Sequence, residues 1–279
     1  MKTVNDLKER YRDSWIILKE LVKNDFRLRY QGSFLGVAWS VLKPIMLFCV
    51  MYMVFVRFLR MSDGTPSFPL VLLLGISLWN FFGEATNMGL SSIVDRGDLL
   101  RKVNFPKYII VVSSSINAFI CLVINFGVVL AAMFITGLGD ITWNILWLPL
   151  NVLQLYVLAL GVSLLLSTAY VYFRDVKHIW EVIMQALFYA TPIIYPLSMV
   201  EDKLGGIGLL LEKLMLLNPA AQIIQDIRHN LIAPATTPTV WTLSSNLFYQ
   251  FAPIALTVIL FLLGVHLFRK YSAKFAEVL

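Results

Sequence analysis

The 279-residue chain is 58% hydrophobic and only 14% charged, with a mean hydropathy of +0.75, whereas a soluble domain carries about 25% charged residues. That balance excludes an ordinary water-soluble fold and calls for a medium that tolerates apolar surface, which lipid supplies. The net charge of +6 would suit nucleic acid, but its distribution along the chain fits a basic cytoplasmic membrane face better, so no nucleic-acid partner is expected.

Residues 1–36 are charged and amphipathic, without the short apolar core of a cleavable leader. An apolar stripe runs through Leu7, Tyr11, Trp15, Leu18, Val22 and Phe26 in steps of 3 or 4 residues, close to the helical period. Such a helix lies along the inner membrane surface, packs on a soluble partner, or does both. A bilayer core roughly 30 Å thick needs about 20 apolar residues in helix. Six segments are candidates: 37–58, 69–90, 109–135, 145–170, 179–195 and 247–268. The first contains Lys43-Pro44 and the second a lone carboxylate, Glu84. The fifth is short and ends in Thr191-Pro192 and Tyr195-Pro196, so it reads as a helix that breaks near one membrane face. The sixth tolerates Pro253.

Between the second and third spans, residues 95–104 predict a compact charged helix, with Asp98 as its cap and Pro106 ending it. Leu99, Leu100 and Val103 would be free to dock on a partner; the alternative is a solvated loop. The long segment from about 200 to 245 contains an eleven-residue apolar run, 207–217, too short to cross. Asn218 as N-cap and Pro219 at the first helical position then start a second helix. Two short helices joined this way form a hairpin dipping into the outer leaflet, where irregular backbone must be packed in protein, or else a lid on the outer surface. Six crossings put both termini on one side. Seventeen of the 23 lysines and arginines fall on that side and five on the other, with Lys43 inside the first span. The positive-inside rule makes the termini cytoplasmic. The organisation expected is an interfacial segment 1–36, a transmembrane domain 37–268 and a tail 269–279, in an all-α integral membrane fold.

Catalytic machinery is missing from the sequence. No Gly-x-x-x-x-Gly-Lys-[Ser/Thr] loop occurs, so ATP binding in that mode is excluded. His178, His229 and His266 are not spaced as metal ligands, and no metal site is expected. Cys49 and Cys121 lie in apolar runs and read as small hydrophobes. No nucleophile elbow or carboxylate pair appears.

Several strings carry a resemblance. Arg29-Tyr-Gln-Gly-Ser-Phe-Leu-Gly-Val-Ala-Trp39 followed by Lys43-Pro44, Leu78-Trp-Asn-Phe-Phe82, Leu99-Leu-Arg-Lys-Val-Asn-Phe-Pro106, Tyr172-Phe-Arg-Asp-Val-Lys-His178, Thr191-Pro-Ile-Ile-Tyr-Pro196 and Asn218-Pro219 with Arg228 occur in order. Each is weak alone. Together, from about residue 15 to 270, they resemble the permease subunits of bacterial polysaccharide-exporting ABC transporters, of the wall teichoic acid and O-antigen type. The resemblance implies a plasma-membrane permease that pairs with a second copy of itself and with two copies of a separate ATP-binding cassette ATPase, which would hold ATP and Mg. It implies a substrate carried on undecaprenyl diphosphate. It also implies that Asp98, Leu99, Leu100, Arg101, Lys102 and Val103 form a coupling helix against the ATPase.

A glycan too long to be enclosed needs a continuous conduit, and aromatic rings can stack on the apolar faces of sugars while letting them slide. Tyr52, Phe55, Trp79, Phe81, Phe82, Tyr189 and Tyr195 are the candidates, on the spans that the resemblance places nearest the dimer axis. Interfacial aromatic belts are the competing explanation. Arg27, Arg29 and Lys43 could receive an anionic diphosphate at the inner edge of the first span, or could simply anchor it. Lys43 lies about six residues, roughly 9 Å, inside that span. Glu84 is costly within a bilayer; it could couple to an ion, pair with Lys43 or another cation, or wall the conduit. The rival readings are an ion-coupled secondary transporter using Glu84, although no internal repeat is present, and a drug- or lipid-exporting permease.

Overall fold

The computed structural model describes residues 2–60, 63–103 and 105–279, and their side chains except at 2–11, 30 and 276. Leu7 and Tyr11 of the N-terminal stripe, and Tyr30 and Asn104 of the family strings, therefore lie outside the described side chains. Among the described residues the regular structure is helical and no strand occurs. In chain order the helices are α1 (Lys2–Tyr30), α2 (Trp39–Met51), α3 (Phe68–Asp95), α4 (Gly97–Lys102), α5 (Tyr108–Thr136), α6 (Leu148–Tyr172) and α7 (Val176–Ala190). They continue with α8 (Ser198–Leu204), α9 (Gly206–Met215), α10 (Pro219–Leu231), α11 (Val240–Leu243), α12 (Leu247–Ser272) and α13 (Phe275–Val278).

Five helical stretches are long and apolar enough to cross a membrane: Gly36–Phe58, Phe68–Asp95, Tyr108–Thr136, Trp143–Tyr172 and Leu247–Ser272. The expected fifth crossing is shorter than the others. α7 has 15 residues, about 22 Å at a rise of 1.5 Å per residue, and the chain leaves the helix at Thr191. Pro192 disfavours helical backbone at the residue before it, and the carbonyls freed by the break are bonded by a distant arginine. α9 and α10 meet at a bend of 100° and by length and composition could count as one broken span. Asn218 caps α10, its side chain accepting from Ala220 N at 3.1 Å, with Pro219 at the first helical position.

α3 is the central strut. In its most apolar stretch 78% of residues are buried, against 11% for the first span, and it packs on both α5 and α6. α6 and α12 touch backbone to backbone. A Cβ on Gly161 would come within 2.6 Å of Phe261 Cα, and one on Gly264 within 2.4 Å of Gly161 O. Small residues permit such close approach where lipid supplies no hydrophobic drive between helices. Hydroxyls buried in the spans bond back to their own helix, as Thr86 Oγ1 does to Phe82 O at 2.8 Å and Thr257 Oγ1 to Pro253 O at 2.9 Å.

At the end of the bundle that carries both termini, Ile93, Leu100, Phe105, Ile109, Phe268 and Phe275 form a second core. α1 closes it with Ile17, Leu18 and Leu21. Trp15, placed on the apolar stripe by spacing, is 66% exposed. Leu18 of that stripe thus packs inward while Trp15 does not, and the packed face includes a carboxylate. Asp25 pairs with Arg96 Nη2, while Asn117 Nδ2 donates to Asp25 Oδ2 at 3.4 Å.

Candidate functional site

A cavity of about 400 Å³ opens where the α1–α2 junction meets α3, α5 and α7. α3 turns Trp79, Phe81 and Glu84 toward it, α2 brings Lys43, and the end of α1 brings Arg29. Arg29 Nη1 bonds Glu84 Oε1. The cation that meets Glu84 is therefore Arg29, across 55 residues of sequence, while Lys43 is exposed at the same cavity with no ion pair among the described residues. Arg27, exposed, does not line the cavity. The rest of the wall is amide and hydroxyl: Asn80, Asn87 and Asn125 with Ser40 and Ser77. These amides drew no attention in the sequence, because single asparagines in apolar runs show no spacing. Their sign was only that three of them fall inside candidate spans.

The aromatic candidates divide into four groups. Trp79 and Phe81 line this cavity, and both are anchored, Trp79 at 6.0 Å from the Phe188 ring and Phe81 at 6.1 Å from Phe119. Phe82 turns the other way, packing at 6.4 Å on Trp180, whose Nε1 donates to Thr86 Oγ1 at 3.2 Å. Tyr52 and Phe55 lie on a π-helical continuation of α2, Tyr52–Phe58, with Phe55 against the main core. Such π segments are rare and gather at functional places. Tyr189, in the last turn of α7, and Tyr195, past its end, stand together, the Tyr195 hydroxyl donating to Tyr189 O at 3.0 Å.

In the 95–104 segment the helix is α4, which begins at Gly97, two residues earlier than expected. α3 runs on to Asp95 and only Arg96 interrupts the ladder, so Arg96 holds the cap position and Asp98 sits in the first turn without capping. Leu100 faces inward, 7% exposed, beside Phe268 and Phe275, and Leu99 packs at the edge of the same core. The outward face is Asp98, Arg101, Lys102 and Val103. Arg96 staples the junction, giving Nη2 to Asp25 and Nη1 to Ser113 Oγ at 3.1 Å. α13 packs against α4 from the other side, and the Phe275 ring stacks edge-on to Phe268 at 5.4 Å. In the sequence the only mark of Asp25 and Arg96 is an acid in the apolar face of an amphipathic helix.

Residues 17–232 match the ABC-2 type transporter family. The chain is a member of that family. The ABC-2 chain is also similar to an O-antigen export system permease protein RfbA of Myxococcus xanthus, 33% identical over 190 residues that cover 67% of this chain and 71% of the relative. A protein of the same description from Klebsiella pneumoniae is 25% identical over 267 residues, covering 94% of this chain and 95% of the relative. The matched region contains α1 from Ile17 onward, the cavity, α4, and the α9–α10 bend in one stretch.

In the ABC-2 chain the Arg29–Glu84 pair borders a water-accessible space. Both side chains keep 25–30% exposure, so screening limits the pair to about 1 kcal/mol. Glu84→Gln, which still accepts from Arg29, is expected to fold and retain most transport. Glu84→Leu is expected to lose more, lowering the melting temperature by several degrees. Transport measured in vesicles with and without a proton gradient checks this. Arrest in Glu84→Gln together with gradient dependence in the wild type would establish ion coupling instead.

Proposed function

We propose that this chain is the membrane-spanning subunit of an ATP-driven exporter of a glycan carried on undecaprenyl diphosphate, of the O-antigen or wall teichoic acid class. It would work as a homodimer with two copies of a separate ATP-binding cassette ATPase, in a bacterial plasma membrane with both termini cytoplasmic. The observation that carries this reading is the composition of the cavity between α2, α3, α5 and α7. Arg29 and Lys43 supply positive charge at its edge, which suits a diphosphate. Trp79, Phe81 and three asparagine amides line its wall, which suits sugar rings with apolar faces and hydroxyl rims. The similar O-antigen export permeases support the same polymer class. The outward face of α4, with Arg101, Lys102 and Val103, is the surface offered to the ATPase, and the cluster under Leu100 would carry its movement into α3.

Co-purification and crosslinking test this. The chain alone is expected neither to bind nor to hydrolyse ATP, and hydrolysis should appear only with the ATPase co-expressed. A cysteine at Val103 should crosslink to that ATPase, and Leu100→Pro should uncouple or dissociate the complex while the spans still insert. Stoichiometric nucleotide binding by the lone chain, or labelling of the Val103 cysteine from outside intact cells, would sink the proposal.

A further inference from the structure

A second cavity, with a row of polar side chains in its wall, lies at the opposite end of the bundle from the termini. α6, α10, α12 and the turn around Thr239–Thr242 enclose about 430 Å³. Its wall presents five side-chain amides, Asn144, Asn151, Gln154, Gln222 and Asn230, together with Asp226 and His229. Among the described residues no lysine or arginine lines it. The groups are organised. Gln154 Nε2 donates to Gln222 Oε1 at 2.9 Å, Gln222 Nε2 donates to Asp226 Oδ2, and Trp241 Nε1 donates to that same oxygen at 3.3 Å. Asn230 Nδ2 donates to Asn151 Oδ1 at 2.9 Å. His229 Nδ1 bonds the Thr237 carbonyl at 2.9 Å, which must accept, so in the neutral ring Nε2 is left as an acceptor.

Such a concentration of buried polar groups is costly in a membrane protein, and it is not fully satisfied internally. Asp226 is 4% exposed and its Oδ1 has no hydrogen-bond partner. Two indoles, Trp147 and Trp241, border the cavity and remain partly exposed. Interfacial anchoring explains an indole at a membrane edge but not a linked row of amides and an acid behind it.

We infer that this cavity is a binding site for an uncharged sugar unit. Hydroxyl groups both donate and accept, and so do the amides that face them. An aspartate oxygen without a hydrogen-bond partner can bond a hydroxyl group, and an indole face takes the apolar C–H side of the ring. A carboxylate without a neighbouring cation disfavours phosphate and acidic sugars, in contrast to the cavity at Arg29 and Lys43. The inference deepens the export proposal and rests on it only for the source of the sugar. That source is either the exported glycan as it emerges or the headgroup of a membrane glycolipid; the chemistry is the same.

The test uses the full chain in phospholipid nanodiscs, since maltoside detergents would present sugars of their own. A panel of neutral disaccharides (mannobiose, galactobiose, chitobiose) is compared with a glucuronic-acid analogue, reading tryptophan fluorescence and hydrogen-exchange protection over 219–231 and 239–243. At least one neutral disaccharide is expected to protect these segments and to bind at least roughly tenfold more tightly than the acidic one. Asn144→Ala and Gln154→Ala should each weaken binding by up to roughly tenfold, the scale of one lost hydrogen bond. Asp226→Asn should do so too; if it fails to fold, Asn144→Ala, on the partly exposed turn before α6, decides. The inference is overturned if no neutral disaccharide protects, if the acidic analogue binds equally, or if the variants bind like the wild type. Binding by the lone permease does not depend on the ATPase, so its failure leaves the export proposal standing. In vesicles with the ATPase, slower export by Asn144→Ala without added glycolipid identifies the glycan as the source. Slowing only after doping with a glycosyl diacylglycerol identifies the headgroup.

Discussion

Gly75→Ala is expected to be among the most destabilising single-methyl substitutions in this protein. A Cβ at Gly75 would lie 1.8 Å from Arg228 Nη2, 2.5 Å from its Cζ and 2.8 Å from its Nε. A long side chain can usually swing aside, but this one is 2% exposed and pinned. Arg228 Nε donates to Val71 O at 3.0 Å, Nη1 to Pro192 O at 2.6 Å and Nη2 to Ile193 O at 2.6 Å. It therefore joins the start of α3, the break after α7 and α10 in one lock. Removing the guanidinium strands carbonyls in an apolar interior, at about 1–3 kcal/mol for each one left unpaired. Arg228→Leu and Gly75→Ala should each cost at least about 3 kcal/mol, and Arg228→Lys nearly as much, because an ammonium cannot span three carbonyls as a planar fork does. Thermal melting of the purified permease and its yield in membranes report the loss. A Gly75→Ala protein that melts with the wild type would remove the lock.

Asp25→Ala should separate transport from ATP hydrolysis. Asp25 and Arg96 keep only 12% and 20% side-chain exposure, so breaking their bond leaves a largely desolvated charge and costs about 2 kcal/mol, less than a fully buried pair would. Arg96 is also the residue between α3 and α4. With the pair broken, α1 is released from that junction and α4 can move without pulling α3. In proteoliposomes carrying the ATPase, export is expected to fall at least roughly tenfold while hydrolysis stays within about twofold. Asp25→Ala, Arg96→Ala and the double variant form a cycle whose coupling energy should exceed about 1 kcal/mol. Strictly additive effects would show that the pair does not transmit the stroke.

The sequence by itself determined the medium and most of the helices. An apolar run of twenty residues has few stable solutions in lipid, because every backbone group must be bonded within its own segment. That is why the spans holding Glu84, Asn117 and Pro253 could be placed from hydropathy, and why Asn218-Pro219 marked the start of α10 without reference to anything distant. Local chemistry also marked where α7 stops, since Pro192 acts on its own neighbour. What partners the polar groups was decided only by the tertiary structure. α3 carries no lysine, arginine or histidine to pair with Glu84, and whether Lys43 or Arg29 would meet it depended on how α1 and α2 turn against α3. The same holds for Leu100, whose inward direction depends on Phe268 and Phe275 arriving from the far end of the chain. Hydropathy reports how much a residue gains by leaving water and says nothing of which neighbour it will find, so Arg228, Asp25 and the row of amides behind Trp241 acquired their roles only when the helices packed.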